Sequence, residues 1–483
     1  RNGTVTALCC GLLLLEGCTV GPDYKRPSEQ TATSWESGAA PTTRASSVVV
    51  SEPIVEQWWS TFGDNWIDQL VERALRSNPD LAIAACRVRE ARAGLAFVRG
   101  AEAPKVQAGG SITDNRHFGP LGEVEPGDYN FYQAGFDASW EVDVFGGTRR
   151  AIESAQADMG ASVEEYRGVR LSLAAEVTRN YVELRTVERR LAIARHNLSV
   201  QERTLELTRQ RLAAGVTGDL DVSRATALVA NTRATIPILA DQAKQAIRRL
   251  SILLGEEPDA LAGELAEEAP IPQPPSRVSV GLPAELLRRR PDIRAAERRI
   301  AAANARVGVA KADYYPQFAL IGAIGQLDVD TEHLFDHSRR YYGIGPEMRW
   351  DVFNGGRTDA RVNAEEARTA RALAEYRKTV LGALAEAKNA LDAFNAEQHR
   401  RSNLADAVAA DRRAVRTATD LYRQGISDFL SVLDAERSLA ASEDALAQSD
   451  RTVTTDAIAL YKALGEGWQS TDDKGETRLV GAP

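Results

Sequence analysis

Residues able to do chemistry are plentiful in this chain, but few are spaced to act together. Its 68 Asp and Glu and 59 Lys and Arg fall mostly on helical faces in mixed sign, the pattern of solvated surface. Five scattered His and four Cys offer no metal-ligand spacing. No phosphate-cradling Gly-rich loop, dinucleotide fingerprint or paired nucleophile and base is present. A hydrolase built on an Asp/Glu pair therefore has only the abundance of carboxylates behind it. The chain reads as a non-enzyme with no cofactor. A net charge of −9 argues against a nucleic-acid partner, which is held through Lys and Arg on phosphates. One spacing does stand out. Ile426, Leu430, Asp434 and Arg437 are separated by 4, 4 and 3 residues, which puts them on one helix face. Copies of such a stripe around an axis would form an apolar ring that resists water and ions by dewetting, and an Asp ring that binds cations.

A second chemical signal is at the N-terminus. An apolar run from about Val5 ends in Leu12-Leu13-Leu14-Leu15, too short to span a bilayer as a helix. Residues 1–17 resemble a secretory signal peptide. Its basic region is only Arg1 and there is no initiator Met, so further residues are expected upstream. Leu15-Glu16-Gly17-Cys18 resembles a lipobox, in which Cys18 becomes the lipidated first residue; Glu16 departs from the small residue usual there. Thr19 is compatible with sorting to the outer membrane. Cys86 lies in a helical pattern and reads as a buried or groove-lining thiol.

The elements that position these residues come in two collinear sets about 210 residues apart. Asn78-Pro79-Asp80 matches Arg290-Pro291-Asp292, and Pro104 matches Pro316, at an offset of 212. Asp143-Val144-Phe145 matches Asp351-Val352-Phe353 at 208. Gly215 matches Gly425, and Gly255 matches Gly465, at 210. Each half reads as helix, β-hairpin, very long helix, tight turn and return helix. The first helix is expected over about 66–100, stopped by Pro104. Apolar residues alternate with polar ones from Tyr132 to Trp140 and from Tyr342 to Val352, a period of two that predicts strands with one wet face. Their partners are about 105–114 and 317–326. Stretches 148–213 and 358–423 lack Pro and predict helices of roughly 100 Å. Return helices are expected over 219–254, kinked at Pro237, and 428–464. The linker near 256–282 is rich in Pro and Glu, and the tail after Trp468 is polar; both read as surface segments.

Strands of about ten residues are long enough to cross a bilayer. Four of them cannot close a barrel, and open sheet edges are not tolerated in lipid. If the strands span, the chain must therefore pool them with copies of itself. Trp140 and Trp350 at the strand ends suit an interfacial aromatic belt. The alternative is a non-conducting trimeric coiled-coil stalk or adhesin, which the paired hairpins do not fit.

The chain resembles the outer-membrane efflux protein family, the TolC-like exit ducts, and within it the OprM-like or NodT-like lipoprotein branch. The residues that carry this are Gly17–Tyr24, Trp58-Trp59 with Phe62-Gly63-Asp64, Gly281-Leu282-Pro283, Leu286–Ile293, Ala295-Ala296-Glu297, Asp351–Arg357 and Val432–Ala435. The resemblance implies a mixed fold of membrane β-barrel and long α-helical barrel. It implies a homotrimer with a 12-stranded barrel and a 12-helix periplasmic tunnel, in the outer membrane of a Gram-negative bacterium. Partners would be a periplasmic adaptor (membrane fusion) protein and an inner-membrane resistance–nodulation–division pump. The organisation expected is a signal peptide over 1–17, a lipidated segment over 18–65, repeat 1 over 66–257, an equatorial linker over 258–282, repeat 2 over 283–466 and a tail over 467–483. Turns near Gly215 and Gly425 would form the periplasmic tip, where the resemblance locates the gate. By that match, Gln210, Asp221, Tyr422 and Asp434 correspond to members of the closing network, Ile426 and Leu430 to apolar plugs, and Asp434 and Arg437 to polar gate residues. Ser427 and Ser431 stand where TolC has charged residues, so that network is incomplete here. Gly215 and Gly425 read as turn formers, although adaptor hairpins dock there in the family.

Overall fold

A computed structural model describes residues 19–28, 47–50, 57–117, 127–281, 283–332, 334 and 336–468. Cys18, the signal segment and the tail beyond Trp468 lie outside these residues. In chain order the elements are β1 (Val48–Val50), α1 (Asn65–Ser77), α2 (Pro79–Arg99), β2 (Lys105–His117), β3 (Gly127–Val142), α3 (Gly147–Ala213) and α4 (Asp219–Leu253). Then follow β4 (Arg277–Ser279), α5 (Pro283–Arg289), α6 (Pro291–Ala312), β5 (Gln317–Asp328), β6 (Arg340–Arg349), α7 (Arg357–Arg423) and α8 (Phe429–Ala463). Helices α3 and α7 have 67 residues each, and α4 and α8 have 35 each. All four keep the 210 offset from end to end, so the drift seen between the halves falls in the loops and strands. The chain divides into two compact units.

One unit comprises residues 1–28, 87–163 and 295–377 and holds the larger sheet. Its strands run antiparallel in the order β2-β3-β5-β6, so among the described residues both β2 and β6 are open edges. The register Ala108↔Phe136, Phe136↔Ile324 and Ile324↔Tyr342 lines apolar residues up across all four strands. Val106, Ile112, Phe136, Ile324, Ile344 and Met348 share that face and are exposed. The other face carries Gln107, Ser111, Gln133, Asp137, Ser139 and Glu347. Strand β6 ends at Arg349, earlier than its alternation suggests, because the N–H of Val352 turns back to bond the Trp350 carbonyl (3.1 Å). The indole N–H groups of Trp140 and Trp350 donate to the carbonyls of Glu102 (3.0 Å) and Tyr314 (3.1 Å), the same bond made in each hairpin.

In this unit the segment after residue 18 is tightly docked. Val20 N–H donates to the Phe145 carbonyl (3.1 Å), and Arg150 donates to the Val20 and Gly21 carbonyls while pairing with Asp23 (2.7 Å). A Cβ on Gly21 would sit 2.5 Å from Gly308 Cα, and one on Gly146 2.9 Å from Thr19 Cα, so neither site accepts a side chain.

The other unit comprises residues 29–86, 164–294 and 378–483. Its core is centred on Trp58, fully buried and stacked on Tyr461 (5.4 Å between centroids), with its indole N–H donating to the Glu466 carbonyl (3.1 Å). Leu173, Val177 and Leu184 of α3, Leu250 of α4, Phe394 of α7 and Ile458 of α8 complete it. Three expectations fail here. The helix expected over 66–100 is two helices, since Pro79 has no N–H and forces Asn78 into an extended conformation. The Asn78 side chain then caps α2 through Leu81 N–H (3.0 Å) and donates to the Leu253 carbonyl at the end of α4 (2.8 Å). Arg290, before Pro291, does the same to the Ala463 carbonyl of α8 (2.7 Å). The linker is not a surface segment: Leu261, Leu265 and Val278 are fully buried in the core, and β4 pairs in parallel with β1. Cys86 is exposed, which removes the buried reading and leaves the groove-lining one. Helix α4 continues through Pro237.

Candidate pore gate at the helical turns

Both long helices end in the same way. At the first, Gly215 has φ +71°, its N–H bonds the Leu212 carbonyl (2.9 Å), and Val216 N–H reaches back to the Arg211 carbonyl (2.9 Å). At the second, Gly425 has φ +76°, with Gly425 N–H to Tyr422 (3.0 Å) and Ile426 N–H to Leu421 (2.9 Å). This is a Schellman termination, which needs the left-handed residue that Gly supplies without steric cost. The return helices start differently. The Asp428 carboxylate caps α8, accepting from the Ser431 N–H (3.1 Å) and hydroxyl (2.7 Å), which hold it below the usual carboxylate range. Gly218 caps α4 with no side chain, and Asp221 instead accepts from the Thr217 hydroxyl.

The packing around α8 sorts the proposed gate residues into two groups. Phe429, Val432 and Leu433 are buried with Leu205, Leu228, Val229 and Tyr422, forming the small core of the turn region. Leu430, Asp434 and Arg437 point the other way, Leu430 being 42% exposed and the other two exposed as well, whereas Ile426, expected on the same helix face, lies in the turn before α8 and is 68% exposed. Burial of the complementary positions is what leaves this stripe outward. Tyr422 is apart from it, 2% exposed, edge-on to Phe429 (5.8 Å) and covered by the Arg211 guanidinium 4.4 Å above its ring. Gln210 is exposed on α3 and donates to Glu206 (3.2 Å). Among the described residues, no group of three or more His, Cys, Asp or Glu is placed to hold a metal, and no helix is long and apolar enough to cross a membrane.

The sequence model of outer membrane efflux proteins matches residues 70–256 and 282–466. The chain belongs to the outer membrane efflux protein family. It is 30% identical to nodulation protein T of Rhizobium leguminosarum bv. trifolii, over 94% of this chain and 96% of that protein. It is 32% identical to outer membrane protein OprJ of Pseudomonas aeruginosa, over 97% and 96%. The solved structure of the outer-membrane channel OprN superposes with a TM-score of 0.85 at 37% identity, covering 94% of this chain and all of that one. The TolC-like channel fold expected from the residues is thus shared, and the stalk alternative finds no support among these relatives.

The efflux-protein fold also contains polar ties that no spacing announced. Four link the α3–α4 hairpin to the α7–α8 hairpin within the second unit. Arg190 donates to both Asp444 oxygens (2.6 and 3.3 Å), and Arg451 to Glu183 (2.7 Å). The Thr204 hydroxyl donates to Glu436 (2.8 Å), and Arg211 to the Tyr422 carbonyl (2.6 Å). Glu436 is 5% exposed; burial pushes its carboxyl up, and the Thr204 bond offsets this only in part. In the sequence these residues are indistinguishable from the charged and polar faces around them.

Proposed function

We propose that this efflux protein is the passive exit duct of a tripartite export system, gated at its helical turns, and carries no enzymatic activity. The observation that carries the reading is the four-stranded sheet. It exposes one apolar face and leaves both edges unpaired, an arrangement that lipid tolerates only if further strands close it. Three copies would supply twelve strands and, through α3, α4, α7 and α8, a twelve-helix tunnel in the periplasm. The docking of Thr19 and Val20 against Phe145 and Gly146, where β3 passes into α3, supports a lipid anchor on Cys18 near the bilayer surface. A duct of this kind stores no energy. An inner-membrane pump of the resistance–nodulation–division class, joined by a periplasmic adaptor, would supply it and would select the small molecules expelled.

The exposed stripe supports the gate. In a trimer Ile426 and Leu430 would stack as apolar rings and Asp434 with Arg437 as a polar ring, closing the bore by dewetting and charge. Asp434→Ala and Leu430→Ala in the reconstituted channel should each raise the mean conductance several-fold. Unchanged conductance in both would remove the gate from this stripe.

A further inference from the structure

Where α3, α7 and α8 meet in the second unit, beside the Thr204–Glu436 bond, they enclose a cavity of about 490 Å³, the size of a small-molecule pocket. Its floor is polar and buried: Asn197, Gln201, Glu436 and Glu443 are each 9% exposed or less. Glu436 is held by the Thr204 hydroxyl (2.8 Å), and Glu443 by the Arg412 guanidinium (3.0 and 2.8 Å). Gln201 is the exception. It is 3% exposed, and its Oε1 has no hydrogen-bond partner among the described residues. A buried acceptor without a partner destabilises the chain that carries it, and a donor from outside the chain removes that cost.

The walls above this floor are apolar, formed by Ile193 and Val200 of α3, Val415 of α7 and Leu439 of α8. The rim is cationic: Arg189, Arg412 and Arg416 line the opening with His196, and all four are exposed. Arg412 is engaged by Glu443, whereas Arg189 and Arg416 make no ion pair among the described residues. The repeated framework does not call for these cations. At the offset of 210, His196, Arg412 and Arg416 correspond to Asp406, Glu202 and Glu206, so the charge is reversed in the other half while the helix lengths are kept. We propose that the cavity is a binding site for an amphipathic organic anion. Its carboxylate or sulfonate pairs with Arg189 and Arg416 at the rim, where guanidinium forks suit such groups. An apolar ring lies against the four wall residues and is taken out of water. An N–H or O–H of the ligand donates to Gln201 Oε1 on the floor. The two floor carboxyls, Glu436 and Glu443, keep the ligand's negative charge at the rim and exclude a polyanion. Binding needs only the fold of one chain and is independent of the duct reading.

Dansylglycine carries a carboxylate, a sulfonamide N–H and a naphthalene ring, and so probes all three contacts; dansylamide lacks the carboxylate. Fluorescence titration of the full-length protein in lipid nanodiscs, with empty nanodiscs subtracted, should give dansylglycine a dissociation constant on the order of tens of micromolar. Dansylamide should bind about tenfold more weakly. Arg189→Gln with Arg416→Gln, at two exposed positions with no ion pair to lose, should weaken dansylglycine about tenfold and leave dansylamide unchanged. Gln201→Leu should weaken both probes about fivefold yet melt no lower than the parent, because it removes a buried oxygen that has no partner. Equal affinity for the two probes, or unchanged dansylglycine binding in the rim variant, would overturn the site. A parent protein that takes up no dansylglycine at millimolar concentration would do the same. Conductance enters none of these measurements, so a failure of the duct reading shows separately, as a silent bilayer.

Discussion

A half-buried carboxylate on α8 shows how a single residue tunes this scaffold. Burial, helped by the nearby negative charge of Glu397, pushes Asp456 up to about 6. A carboxyl raised in the folded chain binds its proton more tightly there than in the unfolded chain. Stability should therefore fall as pH rises from about 4 through about 6. Asp456→Asn should abolish that slope and melt higher than the parent at pH 7.5, by on the order of 1 kcal/mol once solvent screening of a half-exposed group is allowed for; melts at pH 4 and 7.5 check it. The glycines that end the return helices make a sharper demand. Gly255 has φ +72°, and an added Cβ would meet Ser77 O at 2.5 Å. Gly255→Ala should cost about 2 kcal/mol or more, read as a lowered melting temperature, whereas Gly263, with open space around it, should tolerate Ala. At this scale the sequence was legible where spacing alone decides. Leu430, Asp434 and Arg437 share a face of α8 because 4 and 3 are helical steps, but Ile426 does not belong to that helix, since the left-handed Gly425 turns the chain before α8 begins at Phe429. The ties at Arg190, Thr204 and Arg451 were not legible, because their partners lie more than 200 residues away and nothing local marks them.

Among the elements, the sheet carries the membrane argument. Its two faces differ by chemistry and its register is fixed by the pairing of Phe136 with Ile324. Ile324→Asp, on the apolar face, should cost a few kcal/mol in lipid and abolish assembly into vesicles, while Ser139→Asp on the opposite face should assemble normally; flotation with liposomes distinguishes them. Helix ends at Gly215 and Gly425 could be located from sequence, since a Gly after a long Pro-free run terminates a helix by a known mechanism. The break at Asn78 could not, although Pro79 was in plain view. Proline is also at home in the first turn of a helix, and only the bonds from Asn78 to Leu81 and Leu253 show that a new helix begins there. The linker misled for a different reason. Its Pro and Glu content dominates its composition, but four apolar side chains, Leu261, Leu265, Ile271 and Val278, do the packing.

For the molecule as a whole, the edge strands β2 and β6 support the proposal that one chain is a third of a closed wall. Native mass measurement in detergent should find three copies. A monomer would leave the edges of the sheet unexplained. The two-part layout was legible because collinear pairs such as Gly215 with Gly425 and Gly255 with Gly465 persist across both halves, and the family because motifs such as Leu286–Ile293 and Asp351–Arg357 stand in the chain. The most direct test of a gated, passive duct is single-channel recording of the purified protein in a planar bilayer, with neither pump nor adaptor present. The account predicts an ion-conducting pore that dwells mostly in a low-conductance state and opens further in Asp434→Ala. A bilayer that stays silent with correctly assembled trimers in it would contradict the account.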